Sequence, residues 1–246
     1  MGKDILFNSD LRAGRVVNQR GISSGATIQP YTYFFDMWRT SQNPVQIDIN
    51  SDGAVFTGSV FDVVENGASL LGETLTISVQ LSSGEIDSKT VVFTDWVGAS
   101  IFDGNVFLAL AGNTLMFVVD VLGVRIRRVK LEMGSVSTLH LDPPQNYGME
   151  LLKCQRYYVK LSMAYMGVLH CFFPSALSGF PFPVKMRTIP TVTFGGIFRP
   201  GQPTNTLPFS AASVDASAVH FITLATNVEV GAEGFYVASC EASAEL

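Results

Sequence analysis

Charged side chains are scarce in this 246-residue sequence: they make up 15% of it, against roughly 25% in an average soluble domain. The charge balance is acidic, with 16 Lys and Arg against 21 Asp and Glu and a pI near 5.2. Proteins that bind nucleic acid usually carry a basic patch or stripe. The sequence has no such excess, and we therefore predict no nucleic-acid partner.

A long uninterrupted apolar run is also missing. The longest candidate, residues 106–124, contains Gly112, Asn113, Thr114 and Asp120, so it is better interpreted as two strands joined by a tight loop than as a helix in lipid. The first residues, MGKDILFNSD, lack the apolar core and small-residue cleavage site of a signal peptide. These patterns predict that the chain does not insert into a membrane. They also predict that it assembles in a cytoplasm.

Cysteine and histidine are few and scattered. Cys154, Cys171 and Cys240 show no C-x-x-C spacing, which favours buried thiols in a reducing compartment over disulfides or zinc. His140, His170 and His220 are equally dispersed. The sequence predicts no metal site and no cofactor.

The low charge is coupled to a positive mean hydropathy of +0.29, which predicts more apolar surface than one subunit can bury. Residues 149–246 hold 12 charged side chains, 6 of each sign, and 13 of the 27 aromatic residues. We therefore expect a homo-oligomer whose subunit contact lies chiefly in this second half.

Short alternating segments dominate the chain. Leu75, Ile77, Val79 and Leu81 share one face of LTISVQL, and SSGE then turns the chain into IDSKTVVF, which predicts a hairpin. Turn signals about every ten residues favour an antiparallel sandwich or jelly roll. Further strands are predicted at residues 45–49, 54–61, 105–110, 114–121 and 124–133.

The last of these strands breaks its alternation at Arg127-Arg128. One extra residue, a β-bulge, restores the register between Val124, Ile126 and Val129. We interpret the arginine cluster as the solvated face of an edge or terminal strand, in preference to an anion site.

Pro143-Pro144 predicts the end of the first unit, because proline cannot donate to a sheet. The following NYGMELLKCQRYYVKL is the best helix candidate of the chain. The predicted organisation is all-β: a jelly-roll sandwich over residues 1–142, a linker with a short helix over 143–158, and a small C-terminal β domain over 159–246. Residues 129–158 would then form a joint, in which Gly134 permits a sharp exit from the sandwich; a sugar platform made by Tyr157-Tyr158 is the alternative.

DINSDG, residues 48–53, imitates the start of a calcium loop. Asp48, Asn50, Asp52 and Gly53 match its positions 1, 3, 5 and 6, but Ser59 stands at position 12, where a bidentate Glu belongs. A strand that ends in an Asx-rich hairpin turn accounts for the same residues.

Six motifs occur in order along the chain: FNSDL (7–11), VNQRG (17–21), FDMWR (35–39), RVKLEMGSVST (128–138), ELLKCQRYY (150–158) and FPVKMRTIPTVT (182–193). Through them the sequence resembles a group of phage and prophage virion proteins found in tail fibres and related receptor-binding appendages. The resemblance covers residues 5 to about 193, and the last 50 or so residues take no part in it.

The resemblance implies a sandwich of the carbohydrate-binding-module type, followed by a small β domain near a fibre tip and assembled as a trimer. It implies a virion protein that contacts other virion proteins and glycans of the host surface. This chain departs from the pattern in ILFNSDL near its start and in GSVSTLHLDPP, where relatives commonly continue GSVAT-PF, which affects the expected path of the linker. The shared motifs contain no catalytic group.

Two alternatives stay open. A head decoration, head fibre or baseplate protein would use the same trimeric sandwich. A polysaccharide-degrading tailspike enzyme needs two opposed carboxylates, and the second half offers only Glu150, Asp215, Glu229, Glu233, Glu241 and Glu245. We therefore predict a non-enzymatic protein.

A contact loop is predicted in RPGQPTNTLPFS, residues 199–210, because this stretch is rich in proline, amide and hydroxyl groups. Arg199, Gln202, Asn205 and Phe209 are its candidate glycan-binding residues. An ordinary connecting loop is the alternative interpretation.

Overall fold

The computed structural model describes residues 4–6, 8–64, 66–94, 96–101, 106–111, 114–120, 123–143, 145–162, 167–168, 175–194, 197–199, 202–206, 209–224, 234–237 and 239–245. The architecture is all-β with antiparallel sheets, as the sequence predicts, whereas the jelly-roll connectivity stays a prediction. The chain divides into two compact units, Met1–Leu151 and Leu152–Leu246.

The first unit is a sandwich of two sheets. The six-stranded sheet has the order β1-β3-β4-β11-β6-β7 and the five-stranded sheet the order β2-β5-β10-β9-β8. The strands are β1 Thr27–Ile28, β2 Trp38–Thr40, β3 Val45–Asn50, β4 Gly53–Phe56, β5 Val60–Val64, β6 Thr74–Leu81, β7 Ile86–Val92, β8 Trp96–Ile101, β9 Val106–Ala111, β10 Thr114–Val119 and β11 Ile126–Met133. Short 3-10 helices span Gly67–Leu70 and Leu139–Leu141.

The core of this unit lies between the inner faces of the two sheets. Alternating residues of β6 and β11, such as Ile77 opposite Leu131, point into it and are fully buried. From the other sheet Trp38 enters this core, where its ring stacks on Phe56 and meets Phe117 edge-on, each with a centroid distance of 6.5 Å. Burial of these large rings is a main source of the stability of the sandwich.

Three predictions from alternation are confirmed. Strands β6 and β7 form a hairpin, and β9 and β10 form a second one inside the apolar run of residues 106–124. The register of β11 against β6 shifts between Ile126 and Arg128, which is the predicted bulge.

Two details of the strand prediction are wrong. Residues 54–61 are not one strand, because β4 belongs to the six-stranded sheet and β5 to the five-stranded one, and the chain crosses between the sheets at residues 57–59. Nor is β11 an edge strand. It pairs with β6 on one side and, on the other, with β4 at Ile126 and with the N-terminal segment beyond that.

The N-terminal segment runs antiparallel to β11 at residues 4–6 and 8–11. Ile5 N donates to Leu131 O at 2.8 Å, Val129 N to Ser9 O at 3.0 Å and Leu11 N to Arg127 O at 3.0 Å. This pairing satisfies the backbone groups of β11 that β4 is too short to reach.

Gly53 ends the two-residue turn between β3 and β4, where Asn50 pairs with Gly53. Its φ is +138°, and a Cβ at this position would lie 2.1 Å from Ile126 O. Only glycine permits both this conformation and this close approach. The hairpin interpretation of residues 48–53 is thereby confirmed.

The described residues of the second unit form three small sheets, β12-β21-β15, β13-β20-β16-β17 and β14-β19-β18. The helix α1, Tyr147–Cys154, precedes its first strand, so the predicted helix is confirmed but ends before Tyr158. The strands are β12 Tyr158–Ser162, β13 Gly167–Val168, β14 Ser175–Pro181, β15 Thr191–Phe194, β16 Ile197–Arg199, β17 Gln202–Thr206, β18 Phe209–Val214, β19 Ala218–Leu224, β20 Gly234–Val237 and β21 Ser239–Ser243.

The described cysteines behave as small apolar groups. Cys154 and Cys240 are buried, and burial, together with the charge of Glu241, raises the pKa of Cys240 to about 11. Cys171 lies outside the described residues. In the described part of the chain, the helices fall short of the length and apolarity needed to cross a bilayer.

Candidate functional site

The motif residues of the first unit converge on one buried polar cluster, which we call the polar clamp. It joins the N-terminal segment to β11 and to residues 137–150. Its members are Asp4, Asn8, Ser9, Lys130, Glu132, Thr138, Asp142, Gln145 and Glu150.

Asn8 is the centre of one half of the polar clamp. Its Oδ1 accepts a hydrogen bond from Val17 N at 2.5 Å, and its Nδ2 donates to Val17 O at 2.8 Å and to Asp36 O at 2.9 Å. Its own backbone N donates to Glu150 Oε1 at 2.5 Å, and Trp38 Nε1 donates to its carbonyl at 3.1 Å. Asn8 has a φ of +54°, a conformation that Asn adopts more readily than most residues.

Lys130 is the centre of the other half. It lies on the outer face of the six-stranded sheet, yet its side chain is fully buried, because residues 134–142 fold back over that face. Its Nζ lies 2.6 Å from Asp142 Oδ2 and 3.2 Å from Glu132 Oε2, and it donates to Thr138 Oγ1 at 2.6 Å. Glu132 also accepts hydrogen bonds from Thr138 N at 2.7 Å and Thr138 Oγ1 at 2.6 Å.

Gln145 ties the polar clamp to the start of the chain. Its Nε2 donates to Ser9 Oγ at 2.9 Å and its Oε1 accepts from Asp10 N at 3.1 Å. Ser9 Oγ in turn donates to Asp4 Oδ2 at 2.6 Å. Segments more than 130 residues apart in sequence are thus joined by side chains that carry complementary donors and acceptors.

Two carboxyl groups beside this network have raised pKa values. Burial raises the pKa of Asp4 to about 7, against the opposing effect of hydrogen bonds from Ser9, Leu6 and Leu131 and of the positive charge of Lys130. Burial likewise raises the pKa of Asp36 to about 6, although Arg20 lies 2.7 Å from its Oδ1 and Gln19 donates to its Oδ2. In both cases desolvation of the charged form dominates.

The polar clamp has the chemistry of a structural network within the first unit. Its charges contact one another and its hydrogen bonds join the chain segments that it covers. Gly134, with a φ of +102°, turns the chain at the end of β11 as predicted. In the second unit Tyr157 and Tyr158 are buried, so the interpretation of this pair as a sugar platform is wrong.

The polar side chains of the calcium-like segment, residues 48–53, interact with other groups of the protein. Asp48 pairs with Arg125 and accepts a hydrogen bond from Ser24 Oγ at 2.7 Å, and Asn50 Oδ1 accepts from Asp52 N at 2.8 Å. The contacts with Ser24 and Arg125 lower the pKa of Asp48. Within the described residues no group of three or more His, Cys, Asp or Glu side chains is arranged to hold a metal ion.

The predicted contact loop over residues 199–210 is mostly strand. Arg199 ends β16 and pairs with Gln202 at the start of β17, Asn205 lies within β17, and Phe209 begins β18 and pairs with Thr223. The interpretation as one long loop is therefore wrong, because residues 202–206 and 209–210 belong to strands. The four side chains lie outside the described residues, and their role in binding stays a prediction.

The outer face of the five-stranded sheet carries a different group of side chains. Cross-strand neighbours form a row over four strands: Arg39 on β2 is opposite Phe61 on β5, which is opposite Val118 on β10, which is opposite Phe107 on β9. Strands lie roughly 4.8 Å apart, so the row is about 14 Å long. We call this row, with Tyr31 and Tyr33 at its β2 end, the ring face.

Arg39 is held in place by aromatic rings. Its Cζ lies 5.5 Å from the ring centroid of Tyr33, 5.7 Å from that of Tyr31 and 6.0 Å from that of Phe61. Its Nε donates to Tyr31 O at 3.0 Å. Tyr31 has a φ of +56° and leaves 59% of its surface exposed. A bulky residue in this strained conformation at the surface is a feature of binding sites.

On one side of this row the ring face is apolar, and at the opposite margin it carries a polar pair of side chains. The adjacent row on the same face contains Val63, Met116 and Ala109. At the opposite margin Ser59 Oγ donates to Asp120 Oδ1 at 2.7 Å. Rings, an oriented guanidinium and a hydrogen-bonding margin together provide the groups that recognise sugars, whose faces are apolar and whose edges carry hydroxyls.

Sequence reasoning missed the ring face. The motif FDMWR contains Arg39, but the sequence does not reveal that Tyr31, Tyr33 and Phe61 surround its guanidinium. A signal was present in TYFFDMWR and in the apolar outward positions of residues 60–64 and 114–119, which leave the five-stranded sheet apolar on both faces. An outer face of this kind indicates a contact surface.

Comparison of the chain with protein-family models, with curated proteins and with solved structures gives no match.

Proposed function

We propose that this chain is a non-enzymatic bacteriophage virion protein, a tail-fibre or receptor-binding appendage that attaches to glycans on the bacterial surface. The observation that carries the proposal is the ring face, where the rings of exposed Tyr31 and half-buried Phe61 hold the guanidinium of Arg39 at one end of a row of apolar side chains. The six ordered motifs and their resemblance to appendage proteins support the virion assignment.

The binding chemistry is that of a shallow surface. Aromatic rings contact the C–H faces of sugars, and a fixed guanidinium donates to their oxygens. Such sites are weak one at a time, but several copies on one particle multiply their effect. We propose that the protein is a homotrimer, in agreement with the low charge and positive mean hydropathy of the chain.

The absence of catalysis is part of the proposal. Two described acids, Glu132 and Asp142, contact the buried Nζ of Lys130 at 3.2 and 2.6 Å. A glycosidase instead holds two carboxyl groups on either side of a substrate bond. The arrangement around Lys130 favours a structural role for these two acids.

The test is a binding assay on an array of bacterial surface polysaccharides with the purified full-length chain. We expect retention of a subset of glycans, with no release of reducing ends, and a trimer by light scattering. Failure to retain any glycan would contradict the proposed attachment function, and release of reducing ends would favour the tailspike alternative. Localisation of the chain in images of the intact particle tests its place in the appendage.

A further inference from the structure

The ring face holds an arginine with one hydrogen-bonding edge in use and one free. Among the described residues, the hydrogen-bond acceptor of the Arg39 side chain is Tyr31 O, which takes the Nε–H at 3.0 Å, and no described carboxylate forms an ion pair with it. The edge formed by the two terminal amino groups therefore stays available for a ligand. This edge presents two parallel N–H donors.

We propose that Arg39 is the anion-recognising residue of a site for acidic glycans, in which its Nη1–Nη2 edge binds the carboxylate of a uronic or similar acidic sugar. This inference rests on the proposed attachment function and names the class of glycan. A planar carboxylate matches the planar guanidinium with two parallel hydrogen bonds.

The surroundings of Arg39 prepare it for this role. Three rings within 6.0 Å of its Cζ restrict the guanidinium before any ligand arrives, which lowers the entropy lost on binding. The rings also shield one side of the ion pair from water, and a charge-assisted bond is stronger where water is displaced.

A neighbouring arginine shows the contrasting case. Arg20 also lies over Tyr33, 5.5 Å from its centroid, but its Nη1 is 2.7 Å from Asp36 Oδ1. Arg20 is therefore already engaged by a buried carboxylate. Of the two arginines that lie over the ring of Tyr33, Arg39 is therefore the one that a ligand carboxylate can bind.

The charge distribution on the ring face orients the ligand. Asp120 lies beyond the end of β10, where its Oδ1 accepts from Ser59 Oγ at 2.7 Å. A second carboxylate near Asp120 would be repelled. The acidic group of the glycan is thus directed to the β2 end, and the half-buried rings of Phe61 and Phe107 remain for the C–H face of an adjoining sugar.

The experiment compares the wild-type chain with Arg39→Gln and Arg39→Lys on the same polysaccharide array, which includes carboxylated, phosphorylated and neutral glycans. We expect the retained glycans to be rich in carboxylated sugars and Arg39→Gln to weaken their binding by about tenfold or more. Arg39→Lys keeps the positive charge but cannot form the bidentate hydrogen bonds of a guanidinium. We therefore expect the lysine variant to recover only a minor part of the affinity.

Arg187→Gln is the matched control, because it removes the same charge from an exposed position in the second unit. It should bind as the wild type does. Urea midpoints of all variants, followed by tryptophan fluorescence, verify that the first unit remains folded, since both tryptophans, Trp38 and Trp96, lie in it.

A chemical probe separates the sources of negative charge. Carbodiimide and borohydride treatment reduces the carboxylates of a retained polysaccharide to alcohols without removal of the sugar, and we expect loss of binding by about tenfold or more. Binding that survives this treatment but is lost after removal of phosphate would overturn the carboxylate assignment.

Two further outcomes of the binding assay test the proposals. Retention of neutral glycans with equal affinity by wild type and Arg39→Gln overturns the role of Arg39 and leaves the attachment function standing. Retention of no glycan by the wild type overturns both proposals.

Discussion

Lys130 and Arg39 lie on the outer faces of the two sheets of one sandwich, and their surroundings are opposite. Lys130 is fully buried, with Asp142, Glu132 and Thr138 around its Nζ. Arg39 is half-buried among rings, with one hydrogen bond through its Nε. The ammonium group of Lys130 is paired with side chains of its own chain and stabilises the fold. The guanidinium of Arg39 keeps its Nη1–Nη2 edge available and is suited to bind a ligand.

The difference arises from what covers each face. Residues 134–142 fold over the six-stranded sheet, where Thr76 Oγ1 donates to Gly134 O and Ser78 pairs with Ser137. On the five-stranded sheet the ring face keeps Tyr31 exposed. A charge beneath a covering segment must find partners inside the protein, but a charge at an open face need not. Four predictions test this contrast.

Lys130→Met should have the largest effect on stability. It leaves the buried Glu132 without its cation and leaves Asp142 with Arg128 alone, 3.9 Å away. Removal of one partner from a buried ion pair costs roughly 3–5 kcal/mol. Urea unfolding followed by tryptophan fluorescence measures the loss. Lys89→Met, on the exposed middle of β7, is the control and should change stability by about 0.5 kcal/mol or less. A loss as small as that of the control would show that the polar clamp contributes little.

Asn8→Ala should destabilise the first unit by about 2–4 kcal/mol, because it deletes three buried hydrogen bonds and leaves Val17 N–H without an acceptor. The same unfolding assay applies. Asn43→Ala removes an exposed amide before Pro44 and should have little effect. Equal effects of the two replacements would contradict the central place of Asn8.

Stability should fall as the pH rises from about 4 to about 7. The pKa values of Asp36 and Asp4 are raised in the folded protein to about 6 and about 7 from an ordinary value of 3.8, so the native state binds more protons than the unfolded state over this range. Their contribution is complete below the unfolded value and is lost as the pH passes the folded value.

For one carboxyl group the slope reaches about 1.4 kcal/mol per pH unit. Urea midpoints at unit intervals of pH measure it. Asp36→Asn should flatten the profile up to about pH 6 and Asp4→Asn up to about pH 7, in accord with their pKa values. An unchanged profile in both variants would assign the pH dependence to other groups.

Arg39→Gln should have the smallest effect on folding, about 1 kcal/mol or less, because cation–π contacts at partly exposed sites contribute little. The measurement is the same urea midpoint that accompanies the binding assay. A loss comparable to that of Lys130→Met would place Arg39 among the structural residues and remove the contrast between the two faces.

Much of the strand pattern was readable from the sequence. The hairpins β6–β7 and β9–β10 and the bulge before Arg128 follow from alternation and turn residues, which are local properties of the chain. The break at residues 57–59 was not readable, because AVFTGSVF alternates well enough for one strand. Its two halves belong to different sheets, and that choice depends on partners far away in sequence.

The roles of single polar residues were harder to predict. The alternation of Val129 and Leu131 with Lys130 and Glu132 predicts an outward, solvated pair of charges, and their burial follows from the later segment that covers them. Likewise Arg39 in FDMWR gives no sign of the rings that surround it. Residues 199–210 appeared to form a loop because they contain proline and amides, yet most of them pair as strands.

The sequence alone determined the fold class, because alternation and frequent turns specify an all-β chain with antiparallel sheets. The tertiary structure alone decided which charges are buried and which are free to bind. Local periodicity fixes the side of a strand on which a residue lies, but long-range packing determines whether that side is covered, and an ion that is covered must be paired by the protein itself.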